Sequence, residues 1–107
     1  MNHLVGAARR IGAVMLARLC ALQRRYPVIG DVRGRGAMMA VELVLPGTTT
    51  PDPATTLAVA RACHARGLVV LTCGTFGNVV RFLPPLVIPE HLLDEGLAIL
   101  EEAFARL

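Results

Sequence analysis

Apolar and polar positions along the first 26 residues follow a helical period. The apolar side chains recur mostly at three- and four-residue steps, with arginines in several of the gaps. This spacing is typical of an amphipathic helix with one buried face. Pro27 ends it, because proline has no backbone N–H to donate, so we predict a leading helix over residues 1–26. Its predicted buried face consists of Leu4, Val5, Ala8, Ile11, Met15, Leu19 and Leu22.

Four short apolar runs, bounded by glycine or proline, predict β-strands. They span residues 28–33, 37–45, 68–72 and 79–83. Gly34-Arg35-Gly36 separates the first two runs, and we predict the turn there because glycine permits positive φ. A second turn spans residues 73–78, and Pro84-Pro85 ends the pairing because proline cannot donate to a ladder.

Two further helices complete the predicted order. Residues 46–53 form an internal loop, and Thr55 or Thr56 is predicted to cap a helix that Gly67 ends. The last helix begins at Pro89-Glu90, which places a carboxylate in its first turn. These two patterns depend on Leu57, Val59, Ala60, Cys63 and His64, and then on Leu92, Leu93, Leu97, Leu100 and Phe104.

The predicted element order is helix-strand-strand-helix-strand-strand-helix within one domain of residues 1–107. It favours an α+β fold with a mostly antiparallel sheet and with the helices packed on one face. The hydrophobic fraction of 54%, against 18% charged residues, is high for a free-standing domain of this size. We therefore expect part of the apolar surface to face another domain or subunit.

Composition also bounds the partners. The net charge is +3, yet the basic residues are spread along the chain, and one Tyr, three Phe and no Trp are available to stack on bases. This argues against nucleic-acid binding. No uninterrupted apolar run is long enough to cross a bilayer, which argues against a membrane partner.

The cysteine pattern indicates a reduced, cytoplasmic setting. Cys20, Cys63 and Cys73 are odd in number and form no C-x-x-C pair, which argues against a metal site or a disulfide framework. An alternative is that residues 1–25 form a targeting segment, because no acidic side chain occurs in residues 1–30. Arg18 interrupts the apolar stretch, however, and favours a helix that belongs to the fold.

Several catalytic chemistries are excluded by residues that the chain lacks. It contains no serine and no lysine, since all 11 basic residues are arginine. Gly34-Arg35-Gly36 lacks the third glycine of a dinucleotide-binding fingerprint, and a strand follows it rather than a helix. The three histidines lie far apart. Cys73 is a nucleophile only if a base folds beside it, and a structural role is favoured.

Arg81 is the candidate binding residue. It is the single charged residue in the apolar run Val79–Leu83, and a guanidinium is costly to bury without a partner. Two interpretations stay open from the pattern: an anion site, or a salt bridge to Asp31 or Glu42. An arginine suits a carboxylate because its parallel N–H donors meet two oxygens.

An ordered set of motifs covers nearly all of residues 4–107 and resembles one enzyme family. The set looks like the C-terminal small domain of class III aminotransferases, which are PLP-dependent enzymes of fold type I. Within the class, the Cys-Gly turn before Asn-Val-x-Arg looks most like 4-aminobutyrate aminotransferases. The motifs are Ile29-Gly30-Asp31-Val32-Arg33-Gly34, Gly36-Ala37-Met38, Glu42-Leu43, Gly67-Leu68, Thr72-Cys73-Gly74, Asn78-Val79-Val80-Arg81-Phe82 and Pro84-Pro85-Leu86.

The resemblance implies a role for Arg81 and assigns the cofactor-binding residues to another domain. In the family, the arginine of the Asn-Val-x-Arg strand contacts the carboxylate of the substrate, notably that of 2-oxoglutarate. The lysine that forms the Schiff base with PLP belongs to the large domain of the family's enzymes, and so do the other cofactor-binding groups. We therefore expect no catalytic, cofactor-binding or metal-binding residue in this chain, which should be inactive and free of PLP when isolated.

The resemblance also implies partners. In the complete enzyme, a homodimer, the amino group of 4-aminobutyrate passes by way of PLP to 2-oxoglutarate, which becomes glutamate. Two alternatives stay open. One is a domain of another class III ω-amino acid or ornithine aminotransferase, and the other is a free-standing, non-enzymatic α+β module that binds an anion through Arg81.

Overall fold

The computed structural model describes residues 2–84 and 88–107, with side chains from residue 6 onward within those ranges. The order of elements in these residues is the predicted one, and the α+β fold is confirmed. The helices are α1 (Asn2–Arg25), α2 (Pro53–Ala65) and α3 (Glu90–Ala105), and the strands are β1 (Ile29–Arg35), β2 (Met38–Leu43), β3 (Leu71–Cys73) and β4 (Val79–Phe82). No helix in these ranges is both long enough and apolar enough to cross a membrane.

The four strands form one antiparallel sheet in the order β1-β2-β4-β3. Because side chains alternate along a strand, the sheet has two different faces. The inner face carries Met39, Val41 and Val80, which are buried with the three helices in one core. The outer face carries Ala40 and Arg81, which lie directly opposite each other on the two central strands. On this outer face, Arg81 and Leu71 are exposed, whereas Val79 is buried.

The helical periodicity of the sequence correctly located most of the core. On α1, the four deepest positions of the predicted face are buried, and α2 and α3 bury most of theirs. Leu57 and Leu92 were predicted on the buried faces but lie exposed. The side chains of Leu4 and Val5 lie outside the described part of the chain. The confirmed core positions are Ile11, Met15, Leu19, Leu22, Val59, Ala60, Cys63, Leu93, Leu97, Leu100 and Phe104.

The N-cap of α2 is Asp52, so the prediction of Thr55 or Thr56 was wrong. The Asp52 Oδ1 atom accepts a hydrogen bond from the backbone N–H of Thr55 at 3.1 Å. Pro53 then occupies the first helical turn, where its missing N–H costs nothing because that donor has no helical partner. The Asp52 carboxylate accepts from one of the N–H groups that have no partner within the helix. This is the physical reason why α2 begins before Thr55.

Every predicted strand differs from the observed one by one to three residues at one end or both. β1 continues through Gly34 and Arg35, so the hairpin turn consists of Gly36 and Ala37 and begins two residues later than predicted, with Gly36 at φ +58°. β3 begins at Leu71 rather than residue 68. The N–H of Leu68 donates instead to the Cys63 carbonyl at 2.9 Å, so it closes the end of α2. β4 ends at Phe82, before the prolines, and Pro85 lies outside the described residues.

Candidate anion-binding site

The outer face of the sheet forms an open groove of about 350 Å³ beside Arg81. A row of directly paired residues crosses its centre in the order Arg33, Ala40, Arg81. Because Ala40 is short, the space between the two arginines is open above it. The groove is lined by Arg33, Gly34, Arg35, Met38, Ala40, Cys73, Gly74, Val79 and Arg81.

Arg81 lies exposed on the groove, paired in the sheet with Ala40 on one side and Leu71 on the other. Among the residues that the structure describes, no carboxylate oxygen lies within 4.0 Å of its guanidinium. The salt bridge to Asp31 or Glu42, one of the two sequence interpretations, is therefore not formed. The charge of Arg81 is available to a ligand.

Arg33 holds both of these carboxylates instead. Its Nη1 donates to Glu42 Oε2 at 2.8 Å and to Asp31 Oδ2 at 2.9 Å. The hydrogen bonds to Glu42 and then to Asp31 hold the pKa of the Arg33 guanidinium above its ordinary value. Arg33 is thus a neutralised cation within the groove, whereas Arg81 is not.

Other arginines in the described ranges are also paired, and their partners lie on α3. Arg18 contacts Asp94 and donates to Glu101 at 2.5 Å, which links α1 to α3. Arg66 and Arg106 share the carboxylate of Glu102. These pairs hold helix surfaces together, away from the groove. Four of the eleven arginines are thus paired within the described residues, whereas Arg35 and Arg81, which both line the groove, are not.

Asn78 fixes the start of the strand that carries Arg81. Its side chain is only 3% exposed. Its Nδ2 donates to the Leu43 carbonyl at 3.0 Å, and its own carbonyl accepts from the Leu43 N–H at 2.8 Å. These two bonds join the first residue before β4 to the end of β2. The sequence analysis included Asn78 in a motif but assigned it no role, since its partner lies 35 residues away.

The turn before β4 brings Cys73 to the groove but gives it no base. Gly74 has φ +93°, a conformation that suits glycine, and its carbonyl accepts from the Gly77 N–H at 3.1 Å, which closes the turn. No histidine lines the groove, and His64 contacts the Val70 carbonyl at 2.9 Å instead. The three cysteines are free thiols. Within residues 2–84 and 88–107, no three His, Cys, Asp or Glu side chains come together as metal ligands.

The family model described as Aminotransferase class-III matches residues 1–104. The chain belongs to this family. The match covers β1 and β4, which carry Arg33 and Arg81, and Asn78 just before β4. Membership in the class III aminotransferases therefore extends to the groove and not only to the helices.

Known class III relatives are similar along most of the chain. It is 56% identical over 99 residues to 4-aminobutyrate aminotransferase of Mycobacterium leprae, covering 92% of this chain and 22% of that protein. It is 46% identical over 106 residues to 5-aminovalerate aminotransferase DavT of Pseudomonas putida, covering 99% of this chain and 25% of that protein. The chain thus spans about a quarter of the length of the curated relatives that it matches.

Solved structures show the same fold. An amine transaminase from an uncultivated Pseudomonas species, determined in a PLP-bound form, superposes with a TM-score of 0.82 at 36% identity. The superposition covers 96% of this chain and 23% of that chain. The helices and the antiparallel sheet therefore correspond to one part of a larger aminotransferase structure.

Proposed function

We propose that this chain is the C-terminal small domain of a 4-aminobutyrate:2-oxoglutarate aminotransferase, and that Arg81 binds the substrate carboxylate. The identity of 56% to the Mycobacterium leprae 4-aminobutyrate aminotransferase supports the choice of substrate. The observation that carries the role of Arg81 is that it lies in an open groove with no carboxylate partner in the described residues.

The chemistry of Arg81 fits a carboxylate ligand. Its planar guanidinium presents parallel N–H donors that match two carboxylate oxygens. The short Ala40 leaves room for the ligand over the neighbouring strand. A dicarboxylate held at one end by Arg81 has its reacting carbon fixed in distance and orientation, which is the contribution of this chain to the reaction.

The cofactor must be held elsewhere. When bound, PLP supplies the electron sink for amino-group transfer. This chain has no lysine, so it offers no amine for covalent attachment of PLP, and the groove is lined by guanidinium and apolar groups. The residues present do not fit the cofactor. We therefore assign covalent cofactor binding to a large domain in the rest of the polypeptide.

The outer face also suits coverage by that large domain. Leu71 and Leu83, which flank Arg81, are 59% and 65% exposed, and Phe76 in the preceding turn is 66% exposed. Large apolar side chains that lie exposed are typical of a surface that is buried in a larger assembly. The proposed assembly is a cytoplasmic homodimer in which the large domain closes over the groove.

The first test is the size of the natural polypeptide. An antibody against this chain should detect, in source-cell lysate, a band about four times larger than 11.4 kDa. The isolated chain should show no transaminase activity. A band at 11.4 kDa would instead favour a free-standing anion-binding module, the second candidate from the sequence.

The second test is the role of Arg81 in the complete enzyme. Arg81→Lys should raise KM for 2-oxoglutarate about ten-fold or more, because a point charge replaces a two-donor fork. The matched control is Arg61→Lys, which changes an exposed arginine on α2, remote from the groove, and should leave KM unchanged. Equal kinetics for the two variants would refute the assignment of Arg81.

The preferred ω-amino acid separates the remaining candidates within the family. The 46% identity to 5-aminovalerate aminotransferase favours 5-aminovalerate, one methylene longer, as the second substrate candidate. One methylene is worth roughly a 10- to 200-fold difference in discrimination. We expect kcat/KM of the complete enzyme to be highest for 4-aminobutyrate. A higher value for 5-aminovalerate or ornithine would reassign the substrate while leaving the reaction class intact.

A further inference from the structure

Two arginines flank Ala40 in the sheet, and the strand register places both of them in the same diagonal relation to Glu42. Ala40 pairs with Arg33 on β1 and with Arg81 on β4. Glu42 lies two residues further along β2 on the same face, so each arginine is one diagonal step from it. Diagonal neighbours of this kind lie about 7–8 Å apart, within reach of long side chains. By register alone, the Glu42 carboxylate can therefore pair with either arginine.

The structure pairs Glu42 with Arg33, and a second carboxylate distinguishes the two arginines. Asp31 lies directly opposite Glu42 on β1, next to Arg33 on the same strand and face. Arg33 Nη1 contacts Glu42 and Asp31 at 2.8 and 2.9 Å, so one cation holds two anions. Arg81 is separated from Asp31 by the full width of β2. The cluster of Asp31, Arg33 and Glu42 thus keeps both carboxylates on the far side of the groove.

We infer that Arg33 is a positioning residue for the anion site: by holding Glu42, it keeps that carboxylate from pairing with Arg81. This inference rests on the proposed role of Arg81 and extends it to a residue that does not touch the ligand. Without the charge of Arg33, the Glu42 carboxylate would be free to turn towards Arg81, whereas Asp31 would remain beyond its reach on β1. Glu42 would then occupy Arg81 as an internal competitor of the substrate.

The test compares variants of the complete enzyme by their KM for 2-oxoglutarate. Arg33→Gln should raise this KM about ten-fold, because Glu42 is released towards Arg81, whereas kcat should change little. The matched control is Arg35→Gln. Arg35 lines the same groove and has no carboxylate within 4.0 Å in the described residues, so this change removes one positive charge without releasing an anion. Its effect should be about two- to three-fold.

Two rescues separate positioning from a merely structural role. Arg33→Gln/Glu42→Gln should return KM to within about three-fold of the unmodified enzyme, because the competitor is gone. Arg33→Lys should do the same, since an ammonium also donates to two carboxylates. If Arg33→Gln does not fold, Arg33→Met provides the same test with an apolar stem of similar length. A KM increase that persists in the double variant, or that does not exceed that of Arg35→Gln, would overturn the inference.

A readout without substrate distinguishes failure of this inference from failure of the proposed function. In a crystal structure of Arg33→Gln, Glu42 should lie within 4.0 Å of the Arg81 guanidinium, the distance that defines an ion pair. If Glu42 stays away from Arg81, Arg33 is not needed to hold it. If the Glu42–Arg81 ion pair forms but Arg81→Lys leaves KM unchanged, the positioning role of Arg33 is supported and the proposed substrate role of Arg81 is refuted.

Discussion

The two faces of the sheet differ in burial and in charge. On the inner face, Leu43 is fully buried and Val80 is 1% exposed. On the outer face, Arg81 of β4 and Leu83 just after that strand are exposed, and the carboxylates of Asp31 and Glu42 are paired with Arg33. The inner face thus stabilises the fold, while the outer face carries Arg81, which has no carboxylate partner in the described residues and for which we propose a role in binding. Mutations should therefore separate stability from function face by face.

The largest expected effect is on the inner face. Leu43→Ala should lower the free energy of unfolding by about 2–5 kcal/mol, because it removes buried methyl groups and leaves a cavity. Leu83→Ala, on the outer face and 65% exposed, should change it by no more than about 0.5 kcal/mol. Chemical denaturation of both variants measures the difference. Similar losses would mean that the outer face also contributes to the core.

A smaller effect is expected where α1 covers the β1–β2 turn. A Cβ atom at Gly12 would lie 2.1 Å from the Gly36 carbonyl oxygen, whereas one at Gly6 would have only Arg10 Nη1 at 3.9 Å. Gly12→Ala should therefore destabilise the fold by about 1–3 kcal/mol through overpacking. Gly6→Ala should stabilise it by up to about 1 kcal/mol, because alanine favours a helix. Thermal melting of the two variants measures the effects. A rise in Tm for both, or a fall for both, would contradict the prediction.

The smallest effects concern two thiols, that of Cys63 in the core beneath the inner face and that of Cys73 in the groove of the outer face. Burial raises the pKa of Cys63 from its ordinary value of 9.0 to about 11. Above pH 9 the unfolded chain loses this proton before the folded one does, so the free energy of unfolding should fall as the pH rises towards 11. Cys63→Ala should remove this part of the pH dependence.

The same difference predicts the order of thiol alkylation. At pH 8, iodoacetamide should modify Cys73, which lines the groove, well before Cys63, which is fully buried in the core. Mass spectrometry of the peptides gives the order of labelling. Equal rates would show that the helices do not exclude solvent from the inner face.

Local patterns in the sequence were sufficient for the element order and for most of the buried positions. Met15, Leu19 and Leu100 were placed in the core by their helical spacing alone, because a helix repeats every few residues. Errors occurred where another group competed for a backbone donor. Asp52 caps α2 instead of a threonine, and the N–H of Leu68 closes α2 instead of extending β3. Such competition depends on geometry that a pattern of apolar positions does not contain.

By itself, the sequence determined the order of helices and strands and the choice of Arg81 as the candidate residue for binding a carboxylate. It also showed that the chain has no lysine to bind PLP. Only the tertiary structure decided which arginine holds Glu42 and Asp31, and where the Asn78 side chain donates. The reason is that these partners meet through the strand order β1-β2-β4-β3, which places β4 beside β2. The sheet places Arg33 next to both Asp31 and Glu42, whereas β2 separates Arg81 from Asp31.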